Sequence, residues 1–263
     1  MSAFETASAV TPLGPGRYQA QADPAWFVRR GGNGGYVAGV MLRALLAEVG
    51  DPGRTPRSLT VHYPAAFEGT GEIAARIERS GRSLTTASAR MTVDDTPVAL
   101  ALAAFSPDRP TVDYADIAAP AVPRPVDLDP VVYPDLAPPF AANFHAWLAD
   151  GHPPFSGADR AHAAVWLSLK EPGAIDYPLL AMLTDAWMPV LFATQAAPFM
   201  APTVDLTVHF RSPLQPGDEG PWLCVFRTRL AAHGFMDEEG EVWSSDGVLL
   251  AQSRQLALAA PGW

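Results

Sequence analysis

"SLTVHY" at residues 58–63 returns as "DLTVHF" at 205–210, 147 positions later. A six-residue apolar match has weight only if its surroundings match too. Each copy runs into a turn-forming stretch, "PAAFEGTG" or "RSPLQPGDEG", and then a β-like run, "EIAARIERS" or "PWLCVFRTRL". A polar turn with an acidic pair or cluster follows, "VDDTP" or "MDEEGEVWSSDG", and both copies close on an apolar strand, "VALALAAF" or "VLLAQSRQLAL". A helical segment precedes each copy, "NGGYVAGVMLRALLAEV" and "YPLLAMLTDAWMPVLFAT". The chain therefore reads as two copies of one unit: a strand, a helix, then several antiparallel strands.

At 263 residues there is room for two domains of about 110–130 residues each. Between the copies lies "SPDRPTVDYADIAAPAVPRPVDLDPVVYPDLAPPF" (106–140). Its prolines remove backbone donors and disfavour helix in the residues before them, so an extended surface linker is expected. The boundaries this implies are an N-terminal unit over 1–108, a Pro/Asp-rich linker over 109–140 and a C-terminal unit over 141–263.

In the first helix Val37, Met41, Leu42, Leu45 and Leu46 share a stripe, and Gly50 and Pro52 end it. In the second, Pro178 fits the first turn. Leu179, Leu180, Leu183, Trp187, Val190 and Leu191 leave little polar surface, as expected of a helix wrapped by sheet. The spacing predicts helix throughout this segment, kinked at Asp185 because Pro189 offers no N–H to the Asp185 carbonyl.

Hydrophobic residues make up 48% of the chain and charged residues 17%, with a formal net charge of −10 and Lys170 as the sole lysine. Such a balance opposes non-specific nucleic-acid binding. Cys224, the one cysteine, cannot form an internal disulfide, and none of the six histidines belongs to an HExxH-type ligand set. No metal and no cofactor are expected. The first residues carry no secretory signal pattern, and no run approaches the roughly 20 apolar residues of a membrane span, so a cytoplasmic protein without membrane partners is expected.

Three positions could carry chemistry. Asp185 sits in the apolar "LLAMLTDAWMPVLF", where a lone carboxylate is costly to bury unless paired; a structural carboxylate bonded to a neighbouring strand is the alternative. Thr203 opens the strand "TVDLTVHF". Strict alternation puts it on one face with Asp205, Thr207 and His209, opposite Leu206, Val208 and Phe210. In "AQSRQLALAA", Ser253 and Gln255 share a face with Ala251 and Ala257.

These residues, in this order, resemble acyl-CoA thioesterase II, the TesB-like double-hotdog family. The resemblance implies an α+β tandem hotdog, two antiparallel sheets each wrapping a central helix. The family orients a hydrolytic water with an aspartate of the second helix, a threonine opening the next strand and a glutamine on the last strand. Asp185 in "LTDAWMPV", Thr203 in "TVDLTVHFRSP" and Gln255 in "DGVLLAQSRQ" match those positions. "GGNGGYVAGVMLRAL" resembles the glycine-containing start of the family's first helix. By that likeness Asn33, Gly34, Gly35, Trp187 and Arg211 are taken as substrate-binding. The chain has Phe210-Arg211-Ser212-Pro213 where the family often has Phe-His-Arg-Pro, in a region bordering the coenzyme A moiety. An acyl-CoA small-molecule substrate is implied, and further sheet pairing would make a homo-oligomer. A non-hydrolytic acyl-thioester binding protein and a hotdog hydratase or dehydratase are the competing functions. The latter would need an Asp-x-x-x-x-His element that residues 33–39 lack.

Other stretches carry ordinary readings. The cluster Gly31, Gly32, Gly34 and Gly35 lacks the Lys-Ser/Thr of a phosphate loop and reads as a flexible lead into the helix, with Asn33 a donor for a ligand carbonyl. "DD" and "DEEGE" read as solvated hairpin tips. His62 and His209 stand at equivalent repeat positions and read as scaffold. Trp26, Trp147, Trp166, Trp187 and Met182 read as core, with an acyl tunnel as the alternative.

Overall fold

A computed structural model of the protein describes residues 2–110, 112, 114–133, 137–197 and 199–259. Thr111, Asp113 and 134–136 of the expected linker, and Pro198 of the loop before Thr203, lie outside these.

In the first half a short helix α1 (Ala3–Ala7) and a hairpin, β1 (Thr11–Gly14) and β2 (Arg17–Gln21), precede α2 (Gly34–Val49). The strands β3 (Thr55–His62), β4 (Thr70–Ser80), β5 (Thr85–Val93) and β6 (Thr96–Ser106) follow. The second half runs β7 (Phe144–Gly151), β8 (His162–Leu169), α3 (Tyr177–Leu183), β9 (Thr203–Phe210), β10 (Trp222–Arg227), the two-residue β11 (Ala231–Ala232), β12 (Phe235–Trp243) and β13 (Leu249–Leu258). The main path of the sheet is β1-β2-β4-β5-β6-β3-β9-β13-β12-β10-β8-β7. Read outward from its centre, the order is the same in both directions, so the internal repeat is a structural duplication.

The centre is the quoted motif itself. β3 pairs antiparallel with β9, Ser58 opposite His209 and His62 opposite Asp205. Thr60 faces Thr207 across the middle, their hydroxyls 3.0 Å apart. Since these positions are one repeat length apart, an approximate two-fold axis passes between them. The two sheets join edge to edge there, which leaves neither motif strand as an exposed edge.

The sheet curls around its helices. Leu42 and Leu45 of α2 are fully buried, each contributing about 1.5–3 kcal/mol of apolar transfer. α2 packs on β4, β5 and β6 and lies against α3. Gly50 caps α2 with a positive φ of 61°, as the helix stop predicts.

The second helix differs from its expectation. α3 ends at Leu183, residues 184–189 are irregular, and only Val190–Thr194 winds again, as a 3₁₀ turn. Pro189 is the physical reason: without an N–H it cannot continue the ladder, and it breaks the helix rather than kinking it. Asp185 thus lies past the helix terminus, its N–H donating to the Met182 carbonyl.

Among its described residues the linker has a 3₁₀ turn at Pro125–Asp127, and a second, Pro139–Asn143, begins at its end. The linker runs over the outer face of the second sheet, where Ala119, Val122 and Leu128 cover Trp166, Leu223, Val225 and Trp243. Trp166 donates to the Pro123 carbonyl at 2.9 Å, with the Arg124 guanidinium over its ring. Trp166, and Trp147 packed against this cluster, therefore belong to a second small core on the outer face, while Trp26 and Met182 belong to the main core.

"DEEGE" is not a hairpin tip. It lies within β12, whose inward residues Met236, Glu238 and Val242 are buried. The tip is Ser244–Gly247 instead. Asp94 and Asp95 do occupy an exposed turn, both at positive φ.

Candidate active site

Four segments converge on Asp185. The carboxylate is nine-tenths buried, and its contacts come from both halves of the chain. The Gly35 N–H, in the first turn of α2, donates to Oδ2 at 2.9 Å. Gln255 Nε2, on β13, donates to Oδ1 at 3.1 Å. Asn33 caps α2 through Oδ1 and donates from Nδ2 to the Asp185 backbone carbonyl at 3.0 Å. That carbonyl is the one Pro189 leaves without a helical partner. Asn33 thus commits one Nδ2 hydrogen to holding Asp185.

Glycine at 34 and 35 is a packing requirement, not a flexible lead. A Cβ on Gly35 would stand 2.6 Å from the Met182 carbonyl oxygen, and one on Gly34 would stand 2.9 Å from Asp185 Oδ2. Only a bare backbone lets the α2 terminus, with its positive dipole end, come this close to the carboxylate. Tyr63 donates to the Gly34 carbonyl at 2.9 Å. Burial, and then the charges of Asp185 and Asp205, hold the Tyr63 phenol well above its usual pKa, so it remains a donor.

Thr203 reaches the site by an irregularity. In the β9–β13 ladder Leu256 faces Asp205, but Ala257 faces Thr203, so one extra residue is inserted at Val204. Such a bulge reverses the alternation beyond it. Thr203 consequently turns toward Gln255, donating from Oγ1 to Oε1 at 3.0 Å, instead of sharing a face with Asp205 and Thr207. Strict period-2 reading could not show this.

A second carboxylate, which the sequence reading placed in solvent, completes the cluster. Glu238 is 4% exposed. Its Oε1 accepts from Gln255 Nε2 at 3.2 Å and its Oε2 from the Val190 N–H at 2.9 Å. The alternation of buried Met236 and Val242 around it was the available signal. Both acids are hard to ionise. Burial raises Asp185 to about 6 against the opposing Gly35, Gln255, Asn33 and Gly34 hydrogen bonds. Burial likewise raises Glu238 to about 8; the Val190 N–H opposes this and the Asp185 charge adds to it.

Trp187 is buried two residues beyond Asp185, its ring tilted against Tyr133. Arg211 is exposed just past the far end of β9, about 26 Å along the strand from Thr203. His62 and His209 are exposed on the strand pair at the axis. Among the described residues, no cluster of three or more His, Cys, Asp or Glu is placed to hold a metal ion, and no helix is long and apolar enough to cross a membrane.

Known proteins share this fold. Residues 22–106 match the acyl-CoA thioesterase N-terminal domain and residues 116–259 the acyl-CoA thioesterase C-terminal domain. The chain belongs to the acyl-CoA thioesterase family. A hot dog fold protein of unknown function from Alicyclobacillus acidocaldarius superposes with a TM-score of 0.91 at 29% identity, each chain covered over 100%. A protein assigned as a thioesterase II from Thermobifida fusca YX gives 0.83 at 28% identity, covering 99% of this chain and 98% of its own. The acyl-CoA thioesterase II TesB2 of Mycobacterium marinum, 19% identical, shares the fold with a TM-score of 0.78 over 99% of this chain and 100% of its own. No curated protein matches the chain. The tandem hotdog and the TesB-like likeness read from the sequence are thereby established.

Proposed function

We propose that the protein hydrolyses acyl-CoA thioesters to free acid and thiol with a water held at Asp185. The observation that carries this reading is the hydrogen-bond chain from Thr203 through Gln255 to Asp185. Both Gln255 Nε2 hydrogens are committed to carboxylates, so the amide orients the acid rather than the water. The water donates one hydrogen to the Asp185 carboxylate and the other to a lone pair of Thr203 Oγ1, which is left free because that hydroxyl donates to Gln255. Its own lone pair is then directed at the thioester carbonyl. The C–O bond forms as the water proton passes to Asp185, the C–S bond breaks, and the thiolate leaves.

A base near pKa 6 is ionised at neutral pH and still takes up a proton readily. Fixing the water supplies much of the acceleration, since orientation alone can be worth about 7–11 kcal/mol. The positive end of α2 favours the oxyanion that develops beside it. The same reading keeps the division of the chain at 1–108, 109–140 and 141–263.

The test is thiol release from a panel of acyl-CoAs. Asp185→Asn is expected to lower kcat at least about a hundredfold, with smaller losses for Thr203→Ala and Gln255→Ala. If all three variants hydrolyse like the wild type, the reading is wrong. Tight binding of a non-hydrolysable thioester by a wild-type protein that releases no thiol would make it a binding protein instead.

A further inference from the structure

The Gln255 amide has three hydrogen-bonding positions toward the site, and all three are filled. Oε1 accepts from Thr203, one Nε2 hydrogen goes to Asp185 and the other to Glu238. An amide is nearly symmetric in shape, so packing alone does not decide which end faces which neighbour. Two carboxyl groups on one side and an adaptable hydroxyl on the other do decide it. Glu238 has a further attachment, the Val190 N–H, at the start of the turn that ends the irregular segment carrying Asp185.

We propose that Glu238 is a positioning residue for the reaction. It takes the second hydrogen of the Gln255 amide, so that the first stays on Asp185 and the oxygen stays on Thr203, and through Val190 it fastens the Asp185 segment to β12. The proposal rests on the hydrolytic reading of the same site.

It has a consequence for pH. The charged groups acting on Glu238 are Asp185, from the segment after α3, and Asp237, its neighbour on β12, which is ion-paired with Arg254 of β13 at 2.9 Å. Asp185 is the easier of the two acids to ionise, and burial together with the Asp185 charge opposes a second negative charge on Glu238. Ionising Glu238, at about pH 8, puts a second charge into a dry site that must also hold a developing oxyanion. Activity is lost as that charge appears.

The experiment measures kcat and KM for acyl-CoA hydrolysis from pH 5 to 10, beside a titration of the Gln255 side-chain amide by 15N NMR. In the wild type kcat/KM is expected to rise through about 6 and fall through about 8, with the Gln255 amide signal shifting at the upper step. E238Q, uncharged at every pH, keeps one acceptor oxygen for Gln255 but turns an NH2 toward the Val190 N–H; it loses the alkaline fall and the NMR step and keeps a kcat at pH 7 above that of E238L. E238L removes the acceptor of both the Gln255 and the Val190 N–H groups, so its melting temperature falls; at temperatures where it is fully folded it lowers kcat at least about tenfold, with KM within twofold. An alkaline fall that persists in E238Q overturns the proposal. So does an E238L enzyme with wild-type kcat, or a loss of kcat that only tracks a loss of stability. If the wild type releases no thiol yet the Gln255 signal still titrates through Glu238, the hydrolase reading fails while the coupling stands. If the wild type hydrolyses and Gln255 does not respond, the proposal alone fails.

Discussion

In the C-terminal half Gln255 is flanked in the sheet by Leu206 on one side and Glu238 on the other; in the N-terminal half the matched ladder runs Leu59, Ala103, Ala87. The bulge that turns Thr203 inward has its counterpart between Pro56 and Ser58, where the matched residue is Pro56. One half therefore places Thr, Gln and Glu where the other, at equivalent positions, places Pro, Ala and Ala. The helices divide differently. α2 is a full 16-residue rod that brings bare backbone to the site, whereas α3 stops after seven residues and leaves a carboxylate beyond its end. A duplicated scaffold has thus been specialised by parts: the first half contributes N–H donors, the second the acids and the amide.

The largest expected loss of activity from a single change in the first half is that of Gly35→Ala. Its methyl would meet the Met182 carbonyl oxygen at 2.6 Å, a backbone atom with little freedom to move. It is expected to cost about 1–3 kcal/mol of stability and to lower kcat by more than tenfold by displacing the donor to Asp185, checked by melting and by thiol release. A comparable substitution that left hydrolysis unchanged would remove the first half from the site.

Ala103→Gln sharpens the comparison from the opposite side. It places an amide at the position matched to Gln255 but without carboxyl partners, in a spot 2% exposed. We expect destabilisation of about 2–4 kcal/mol and no thiol release when combined with Asp185→Asn. Recovered activity would mean the two halves are interchangeable.

Smaller is the pH dependence of stability. Asp185 and Glu238 are both raised in the folded protein, from 3.8 to about 6 and from 4.5 to about 8. The folded state then binds more protons than the unfolded one across this window, so stability falls as pH rises from about 4 to about 8. Denaturant melts should show Asp185→Asn flattening the lower part of that slope and Glu238→Gln the upper part. Arg211→Ala is expected to have the least effect: kcat within twofold, and any change confined to KM for coenzyme A esters.

The duplication was legible because a period of 147 residues is carried by flanks as well as by the motif. Asp185 was legible because a lone acid in an apolar run demands a partner, and Thr203 and Gln255 because their order resembles a known family. Three features escaped for identifiable reasons. Thr203 points inward through an inserted residue, and alternation rules assume none. Gly34 and Gly35 are explained by a neighbour about 150 positions away, which local reading cannot supply. Glu238 lies in an acidic run whose charge suggested solvent, although the parity of Met236 and Val242 already assigned it to the inside.

The axis between Thr60 and Thr207 has a consequence for stoichiometry. Two identical subunits built on this plan would hold two reaction centres by symmetry. Here the symmetry is kept in the strands and abandoned at the matched polar positions, so a tight-binding substrate mimic should saturate the protein at one equivalent per chain.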